Sequence, residues 1–142
     1  MPIEKLELLR GGVAIDPRGS LRYCNPLIMS EFVRFYTIEN SAVGFVRGWH
    51  GHKFEQKAIF PIKGKIRVGA ALVSDWNYPG ESTVVERFEL DSNDPRVLLI
   101  PGGYANAIVS LTPGAIAGVF STSTLQDSLR DDYRFPSDAW TL

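Results

Sequence analysis

The sequence predicts an all-β protein, and three observations lead to that prediction. Thirteen glycines and nine prolines punctuate the 142 residues, and they fall in turn signals spaced roughly 10 to 20 residues apart. Short runs of β-branched and aromatic residues lie between the turns, as strands require. Only residues 4–9 and 125–130 suit a helical turn, so helices cannot cover both faces of a parallel sheet. We therefore expect an antiparallel jelly roll that spans residues 1–142 as a single domain.

Turn signals and strand signals alternate along the chain. Turns are predicted at 16–19, 61–64, 77–80, 91–95, 101–103 and 112–114. Strands are predicted at 31–38, 43–49, 57–60, 65–73, 83–90, 97–100, 107–111 and 115–121. Short strands in this number favour two sheets folded over each other, with space for a ligand between them.

Charge and cysteine content exclude several classes of function. The 15 Lys and Arg residues nearly balance the 16 Asp and Glu residues, whereas general attraction to nucleic acid or to an anionic membrane requires a basic excess. The single cysteine, Cys24, excludes an internal disulfide and a cysteine-rich zinc site. The first ten residues lack the apolar core of a signal peptide. No apolar run approaches the ~18 residues of a membrane helix. We expect a cytoplasmic protein.

Both histidines of the chain lie within three residues, at the end of the predicted strand 43–49. Strand alternation points His50 and His52 to the same side. An arbitrary histidine pair is more often a surface turn than a site. Here the pair belongs to a longer pattern, which reads Arg47-Gly48-Trp49-His50-Gly51-His52-Lys53.

That pattern resembles the first motif of the cupin family. Gly44 precedes the His-x-His pair by the expected five intervening residues, and Gly64 follows the next strand. The second cupin motif is similar to the segment Pro101-Gly102-Gly103-Tyr104-Ala105-Asn106. The resemblance implies a cupin-type antiparallel jelly roll, which agrees with the fold class predicted from the turns.

The usual metal ligands of cupins are incomplete in this sequence. Metal-binding cupins use two His and a Glu from the first motif and one His from the second. Lys57 stands at the Glu position, and Asn106 stands at the last His position. Because a lysine repels a divalent cation and an amide is a poor substitute for imidazole, we expect a site without metal or cofactor. Glu55 is the one obvious substitute ligand, and a metal-dependent cupin enzyme stays open as an alternative.

The sequence is most similar to the RmlC-like cupin isomerases, which act on nucleotide-linked sugars without a metal. This branch contains 3,5-epimerases and 3,4-ketoisomerases of dTDP-4-keto-6-deoxyhexoses. The epimerase-like features are Arg47-Gly48-x-His50, Gln56-Lys57, Gly64-Lys65 and Ile100-Pro101-x-Gly103. The ketoisomerase-like features are Asp16-x-Arg18-Gly19-Ser20-Leu21, Arg34-Phe35-Tyr36 and His50-x-His52-Lys53.

The chemistry of a 4-keto sugar gives these residues their expected roles. The C3 proton is acidic because the carbanion delocalises into the ketone, so the reaction needs a base and a group that stabilises the enolate oxygen. The resemblance implies His50 as the base, since imidazole titrates near neutrality, and Lys57 as the cation near the carbonyl. Tyr36 and His52 are candidates for the general acid, because the strand 115–121 lacks the tyrosines that epimerases carry there.

A second group of residues is expected to bind the substrate or to orient the base. Arg18 resembles the arginine that reaches a nucleotide phosphate, often across a dimer interface, because a guanidinium binds two phosphate oxygens at once. Arg47 is expected at the sugar or the diphosphate, and Asn106 and Tyr104 complete the predicted binding set. Asp131 or Asp132 is a candidate to orient His50, although a solvated turn is the plainer interpretation. Aromatic side chains that are candidates to stack on the base or line the pocket are Trp49, Trp76, Tyr78 and Tyr104.

The leading functional expectation is a dTDP-4-keto-6-deoxyhexose 3,5-epimerase in surface-polysaccharide sugar biosynthesis. The first alternative is the 3,4-ketoisomerase, which Tyr36 and His52 favour. An alternative of another class is a non-catalytic cupin that binds a sugar nucleotide, which the missing epimerase tyrosine favours. The family resemblance further implies a homodimer with exchanged N-terminal strands.

Overall fold

The computed structural model describes residues 3–77 and 84–142. Its strands form two five-stranded antiparallel sheets and a separate two-stranded hairpin. The first sheet has the order β1 (Glu7–Arg10), β9 (Arg96–Ile100), β6 (Lys57–Lys63), β11 (Ile116–Ser121), β4 (Arg34–Ile38). The second sheet has the order β12 (Tyr133–Arg134), β5 (Val46–His52), β10 (Tyr104–Ser110), β7 (Lys65–Leu72), β8 (Val85–Asp91). The hairpin consists of β2 (Gly12–Asp16) and β3 (Gly19–Tyr23), and a short helix, α1 (Leu125–Leu129), precedes β12.

Two apolar clusters hold these layers together. The first lies between the two sheets and includes Ile59 and Leu98 from one sheet and Val68 from the other, all with 0% exposure. The second covers the outer face of the second sheet, where Trp49 packs against Phe135 and Trp140 of the C-terminal segment. Burying each of these large side chains contributes about 1.5–3 kcal/mol. The C-terminal segment is therefore part of the folded domain.

The predicted strands correspond to β4–β11, with ends that differ by at most three residues from the prediction. The turn predicted at 16–19 joins β2 to β3, two strands that the sequence analysis did not identify. The strand β12 was also not predicted. The turn predicted at 77–80 and the beginning of the strand predicted at 83–90 lie largely outside the described residues.

The two predicted helical turns have different outcomes. Residues 125–130 contain α1, which begins after Thr124, whose hydroxyl accepts the N–H of Asp127 at 3.2 Å. The helical turn predicted at 4–9 is wrong, because this segment leads into strand β1. Leu6 and Leu8, two residues apart, both pack against the first cluster, which we call the central cluster. Pairing with the edge of β9 provides hydrogen-bond partners for the backbone of β1. In the described part of the chain, no helix is long and apolar enough to cross a membrane.

Candidate active site

A pocket of about 130 Å³ opens between the two sheets. Strands β4, β6 and β11 of the first sheet form one wall, and β5 and β10 of the second sheet form the other. The polar side chains that line it are Tyr36, Thr37, Arg47, His50, Lys57 and Asn106. Five of these were predicted as site residues from the sequence, and the structure brings them together in one place. Thr37 was not predicted.

A register shift on β5 explains how Arg47 and His50, three residues apart, both line the pocket. From His52 back to His50, which lies opposite Asn106, the pairing of β5 with β10 is regular. It then shifts, so that Arg47 lies opposite Ile108. Such a bulge changes which face of the sheet the following side chains point to. Gly48 lies within the shifted region, where a Cβ would collide with Ala107 of the neighbouring strand. The glycine of the Arg-Gly-x-His segment is therefore required by this close approach.

His50 is held in its neutral form. Burial is the main cause that lowers its pKa to about 4, and the charges of Lys57 and Arg134 lower it further, while Asp132 opposes them. An imidazole with that pKa is free to accept a proton at neutral pH. It is also a weaker base than the unperturbed imidazole that the sequence analysis assumed. A bound anionic substrate would raise this pKa, because an opposite charge favours the protonated form.

His52 lies on the same face of β5 as His50, because the pairing with β10 is regular between them. Burial and the charge of Lys57 lower the pKa of both imidazoles. Its Nδ1 lies 2.7 Å from the backbone carbonyl oxygen of Asp131. Because a carbonyl can only accept, Nδ1 carries the hydrogen and Nε2 is left as an acceptor. Nε2 is buried and has no hydrogen-bond partner among the described residues. His52 is 6% exposed and, unlike His50, is not among the described residues that line the pocket.

Asp131 holds the loop between β5 and β6 instead of orienting His50. Its carboxylate accepts the backbone N–H groups of Lys53, Phe54 and Glu55 at 2.7, 2.9 and 2.8 Å. The expectation that Asp131 orients His50 is therefore wrong, because its side chain is occupied by three backbone donors. Its neighbour Asp132 pairs with Arg134 at 3.1 Å and acts on His50 through its charge.

A buried cluster of charges lies beside the pocket, and the sequence analysis identified it only in part. The side chain of Glu55 is 0% exposed and lies 3.4 Å from the Arg34 guanidinium and 3.7 Å from the Lys57 ammonium. The guanidinium of Arg34 also stacks over the ring of Tyr36, 5.0 Å from its centroid. Arg34 and Tyr36 are two residues apart on one strand and so share a face. This spacing is the feature of the sequence from which their contact could have been predicted. The partners of Glu55 are cations, and residues 3–77 and 84–142 contain no group of three or more His, Cys, Asp or Glu side chains that could hold a metal ion.

Two predicted binding residues lie outside the pocket of this chain. Arg18 is at the tip of the β2–β3 hairpin, where its guanidinium pairs with Asp16 and its side chain is 90% exposed. This pair lowers the pKa of Asp16 and raises that of Arg18. Tyr104 lies opposite His52 on β10 and packs against the central cluster. Burial, and to a smaller extent the charge of Glu86, raises the pKa of Tyr104.

The tryptophans predicted to stack on a nucleotide base are packed elsewhere. Trp49 is 0% exposed in the outer cluster, and its Nε1 donates to the carbonyl of Trp140 at 3.2 Å. Trp76 packs against Tyr133 on the same outer face, with ring centroids 4.9 Å apart. The expectation that these side chains line the pocket is wrong, because both belong to the opposite face of the second sheet. Tyr78 lies outside the described residues.

Comparison with known proteins identifies the fold. No protein-family model and no curated protein sequence matches the chain. The sugar 3,4-ketoisomerase QdtA from Thermoanaerobacterium thermosaccharolyticum, solved with TDP, superposes with a TM-score of 0.70 at 18% identity, covering 94% of this chain and 90% of its own. The TDP-quinovose 3,4-ketoisomerase WlaRB from Campylobacter jejuni gives 0.71 at 20% identity and coverages of 96% and 98%. The rmlC epimerase of Mycobacterium tuberculosis gives 0.72 at 14% identity and coverages of 96% and 73%. The chain has the fold of the RmlC-like isomerases.

The RmlC-like fold confirms the predicted cupin-type antiparallel jelly roll. Both ketoisomerases are similar to this chain in length, whereas the epimerase is longer, since the match covers 73% of it. At identities of 14–20% the likeness establishes the architecture, and the chemistry has to be argued from the side chains in the pocket.

Proposed function

We propose that the protein is a nucleotide-sugar isomerase that removes the C3 proton of a dTDP-linked 4-keto-6-deoxyhexose. The observation that carries the proposal is the meeting of His50, Lys57 and Tyr36, from three different strands, in one pocket between the sheets. A neutral imidazole, an ammonium group and a phenol supply a base, an electrostatic stabiliser and an acid. Solved proteins of the same fold carry names of dTDP-sugar or TDP-sugar enzymes.

The first step uses His50 and Lys57. The imidazole of His50 takes the proton from C3, and the C–H electron pair moves into the C4 carbonyl to form an enolate. Burial keeps His50 neutral at neutral pH, so it is ready to accept this proton. The ammonium of Lys57 favours the negative charge that develops on the enolate oxygen, and this charge acts strongly because Lys57 is buried.

We assign the second step to 3,4-ketoisomerisation with Tyr36 as the acid. C4 gains a proton and its oxygen becomes a hydroxyl, while the C3 hydroxyl loses its proton and becomes the ketone. The ketone moves by one carbon and no external oxidant or reductant is needed. Tyr36 supports this assignment, since it stands on the strand before the histidine motif, as in the ketoisomerases that this sequence resembles.

The second candidate is the epimerase, in which the proton returns to C3 on the opposite face. Tyr36 comes from the first sheet and His50 from the second, so acid and base occupy opposite walls of the pocket. That placement suits delivery of a proton to the face opposite the base. Lys57, which the sequence shares with the epimerases, lines the same pocket.

A proton NMR time course in deuterated water distinguishes these reactions. The protein is incubated with dTDP-4-keto-6-deoxyglucose, and His50→Asn serves as the matched control without the base. Loss of the C3 signal with appearance of a 3-ketone supports the ketoisomerase. Exchange at C3 and C5 with retention of the 4-ketone supports the epimerase. Binding of the sugar nucleotide without exchange at C3 contradicts both and supports the non-catalytic cupin.

We further propose that the protein works as a homodimer in which the β2–β3 hairpin is exchanged. Among the described strands, this hairpin pairs with neither large sheet, and it leaves Ile15 and Leu21 79% and 61% exposed. A groove of about 300 Å³ lies beside β1, with Leu9, Leu27 and other apolar side chains in its walls. Apolar surface of this kind marks an interaction site. Arg18, at the tip of the hairpin, would then reach the pocket of the second copy.

Light scattering coupled to size exclusion tests the dimer. A dimer at micromolar concentration supports the proposal, and a monomer contradicts both the dimer and the role of Arg18 in a neighbouring site. The Arg18→Ala variant of a dimeric protein should raise KM for the sugar nucleotide and leave the oligomeric state unchanged. A cytoplasmic location and a role in surface-polysaccharide sugar biosynthesis stay predictions from the sequence.

A further inference from the structure

Glu55 is a buried carboxylate for which stability alone is a weak explanation. Its side chain is 0% exposed, and three groups from three strands surround it: Arg34 at 3.4 Å, Lys57 at 3.7 Å and His52 Nδ1 at 3.9 Å. These distances are long for charge-assisted hydrogen bonds, and Oε1 has no hydrogen-bond partner among the described residues. Burying a charge is costly, and a buried ion pair is often no more stabilising than apolar residues of the same size.

The contacts of Glu55 connect it both to the proposed base, His50, and to the proposed acid, Tyr36. Lys57 lines the pocket together with His50, and its ammonium is held by Glu55 Oε2. The same oxygen holds the guanidinium of Arg34, which lies over the ring of Tyr36. Glu55 itself does not line the pocket, so it acts on the pocket through the side chains that it contacts, chiefly these two cations.

We infer that Glu55 is a positioning residue, whose carboxylate holds the Lys57 ammonium beside His50 and the Arg34 guanidinium over Tyr36. This inference rests on the proposed function, because it needs Lys57 and Tyr36 to act on the sugar. A glutamate at this position fixes two cations with one charge, and the three side chains Glu55, Arg34 and Lys57 together carry one net positive charge. That excess is available to the enolate and the phosphate groups of the substrate.

The electrostatic role of Glu55 follows from the groups that face it. The titratable or charged groups packed against it are Arg34 from β4, His52 from β5, Lys57 from β6 and Asp131 from the segment after α1, whose carboxylate accepts the Glu55 N–H. The charge of Lys57 lowers the pKa of His52, and the charge of Glu55 raises it. Loss of the Glu55 charge should therefore lower the pKa of His52 further, whereas a purely steric role would leave it unchanged.

A kinetic comparison of two substitutions separates positioning by charge from packing. Glu55→Gln keeps the size of the side chain and removes the charge, while Glu55→Asp keeps the charge and shortens the side chain. If the charge positions Lys57 and Arg34, Glu55→Gln should lower kcat by about 10- to 100-fold, as loss of a group that orients a functional side chain does, with KM changed less than threefold. Glu55→Asp should recover most of kcat. Glu39→Gln, at an exposed position, is the matched control and should equal the wild type. The reverse order, with Gln active and Asp inactive, would overturn the inference.

A histidine titration by NMR gives a readout that needs no substrate. The chain contains only His50 and His52, so both imidazoles can be followed separately. Glu55→Gln should lower the pKa of His52 by about one unit, since an opposite charge at this distance shifts a pKa by at least that much. The double variant Glu55→Gln/Lys57→Met should move it back upward. It also covers the case in which the single variant does not fold, because it removes the buried Lys57 charge together with that of Glu55, and the remaining partner, Arg34, is partly exposed. An unchanged His52 pKa would refute the inference.

Absence of isomerase activity in the wild type would refute the proposed function instead, and the titration would still show whether the Glu55 charge acts on this cluster.

Discussion

Tyr36 and Val119 lie directly opposite each other on the neighbouring antiparallel strands β4 and β11, and both line the pocket. Strand β11 follows the second motif, where the epimerases that this sequence resembles carry tyrosines. Adjacent strands are only about 4.8 Å apart, so Tyr36 brings a phenol close to the place where β11 lacks one. The missing tyrosine of β11 therefore does not leave the pocket without a phenol.

The substitution Tyr36→Phe tests this role of the phenol. Removal of a general acid should lower turnover by about 10²- to 10⁴-fold, while exchange of the C3 proton with deuterated water continues because His50 is intact. The ratio of C3 exchange to product formation, followed by NMR, should rise strongly. Tyr133→Phe, on the outer face beside Trp76, is the control and should behave as the wild type. Equal losses of exchange and turnover in Tyr36→Phe would show that the phenol is not the acid.

Replacement of each histidine by asparagine separates their roles. His50→Asn should lower turnover by the ~10²–10⁴ that a general base contributes, with nucleotide affinity within about threefold because other groups bind the nucleotide end. His52→Asn should cost about as much in a ketoisomerase that uses His52 as an acid, and clearly less in an epimerase. Its amide can still donate to the carbonyl that holds Nδ1 in the wild type. If a His50→Asn variant keeps more than about a tenth of wild-type turnover, His50 is not the base, and the two histidines have only a structural role.

The pH dependence of kcat/KM reports the protonation of His50 in the free enzyme. The reaction requires the neutral imidazole, so activity should be lost as pH falls through the pKa of about 4 and should stay flat from about pH 5.5 to 7.5. An ordinary histidine would lose half of this activity near pH 6.5. Lys57→Met should move the acid limb upward, because the charge of Lys57 lowers this pKa. A limb near pH 6.5 in the wild type would contradict the assignment of His50 as a buried base.

The predicted site residues that line the pocket were placed by local rules. Lys57 and Tyr36 occupy strand positions whose face follows from alternation, and His50 lies in a motif with a characteristic glycine. The same rule places Trp49 on the face opposite His50. Arg47 could not be placed in this way, because it shares the pocket with His50 only through the register shift against β10 between Asn106 and Ile108, which the sequence of β5 does not contain.

The electrostatics of the site also depend on distant segments. The pKa of His50 is lowered by burial and by Lys57 and Arg134, which belong to other strands. Glu55 was considered only as a substitute metal ligand, because its pairing with Arg34 joins residues 21 positions apart. Segment 4–9 shows that the fold also depends on distant residues. Its pattern of leucines and charges suits a helix, but its second half forms a strand because it pairs with the edge of β9.

The last prediction concerns the loop that follows the histidine motif, and it compares two adjacent carboxylates. Asp131→Ala leaves the N–H groups of residues 53–55 without their acceptor. Hydrogen bonds to a charged acceptor are worth about 1.5–3 kcal/mol each and are not additive, so we expect a loss of about 3 kcal/mol in the free energy of unfolding. For a domain of this size that corresponds to a fall in Tm of roughly 10 °C.

Asp132→Ala is the matched control for this loop. It removes an exposed pair with Arg134, whose side chain is 70% exposed, and such pairs contribute about 0–1 kcal/mol. Thermal unfolding at pH 7, followed by circular dichroism, should therefore separate the two variants by several degrees. Asp131→Ala should also lower kcat, because the same loop carries Glu55 and the carbonyl of Asp131 fixes the His52 ring. If both variants unfold at the same temperature, the three backbone hydrogen bonds to the Asp131 carboxylate do not hold the loop.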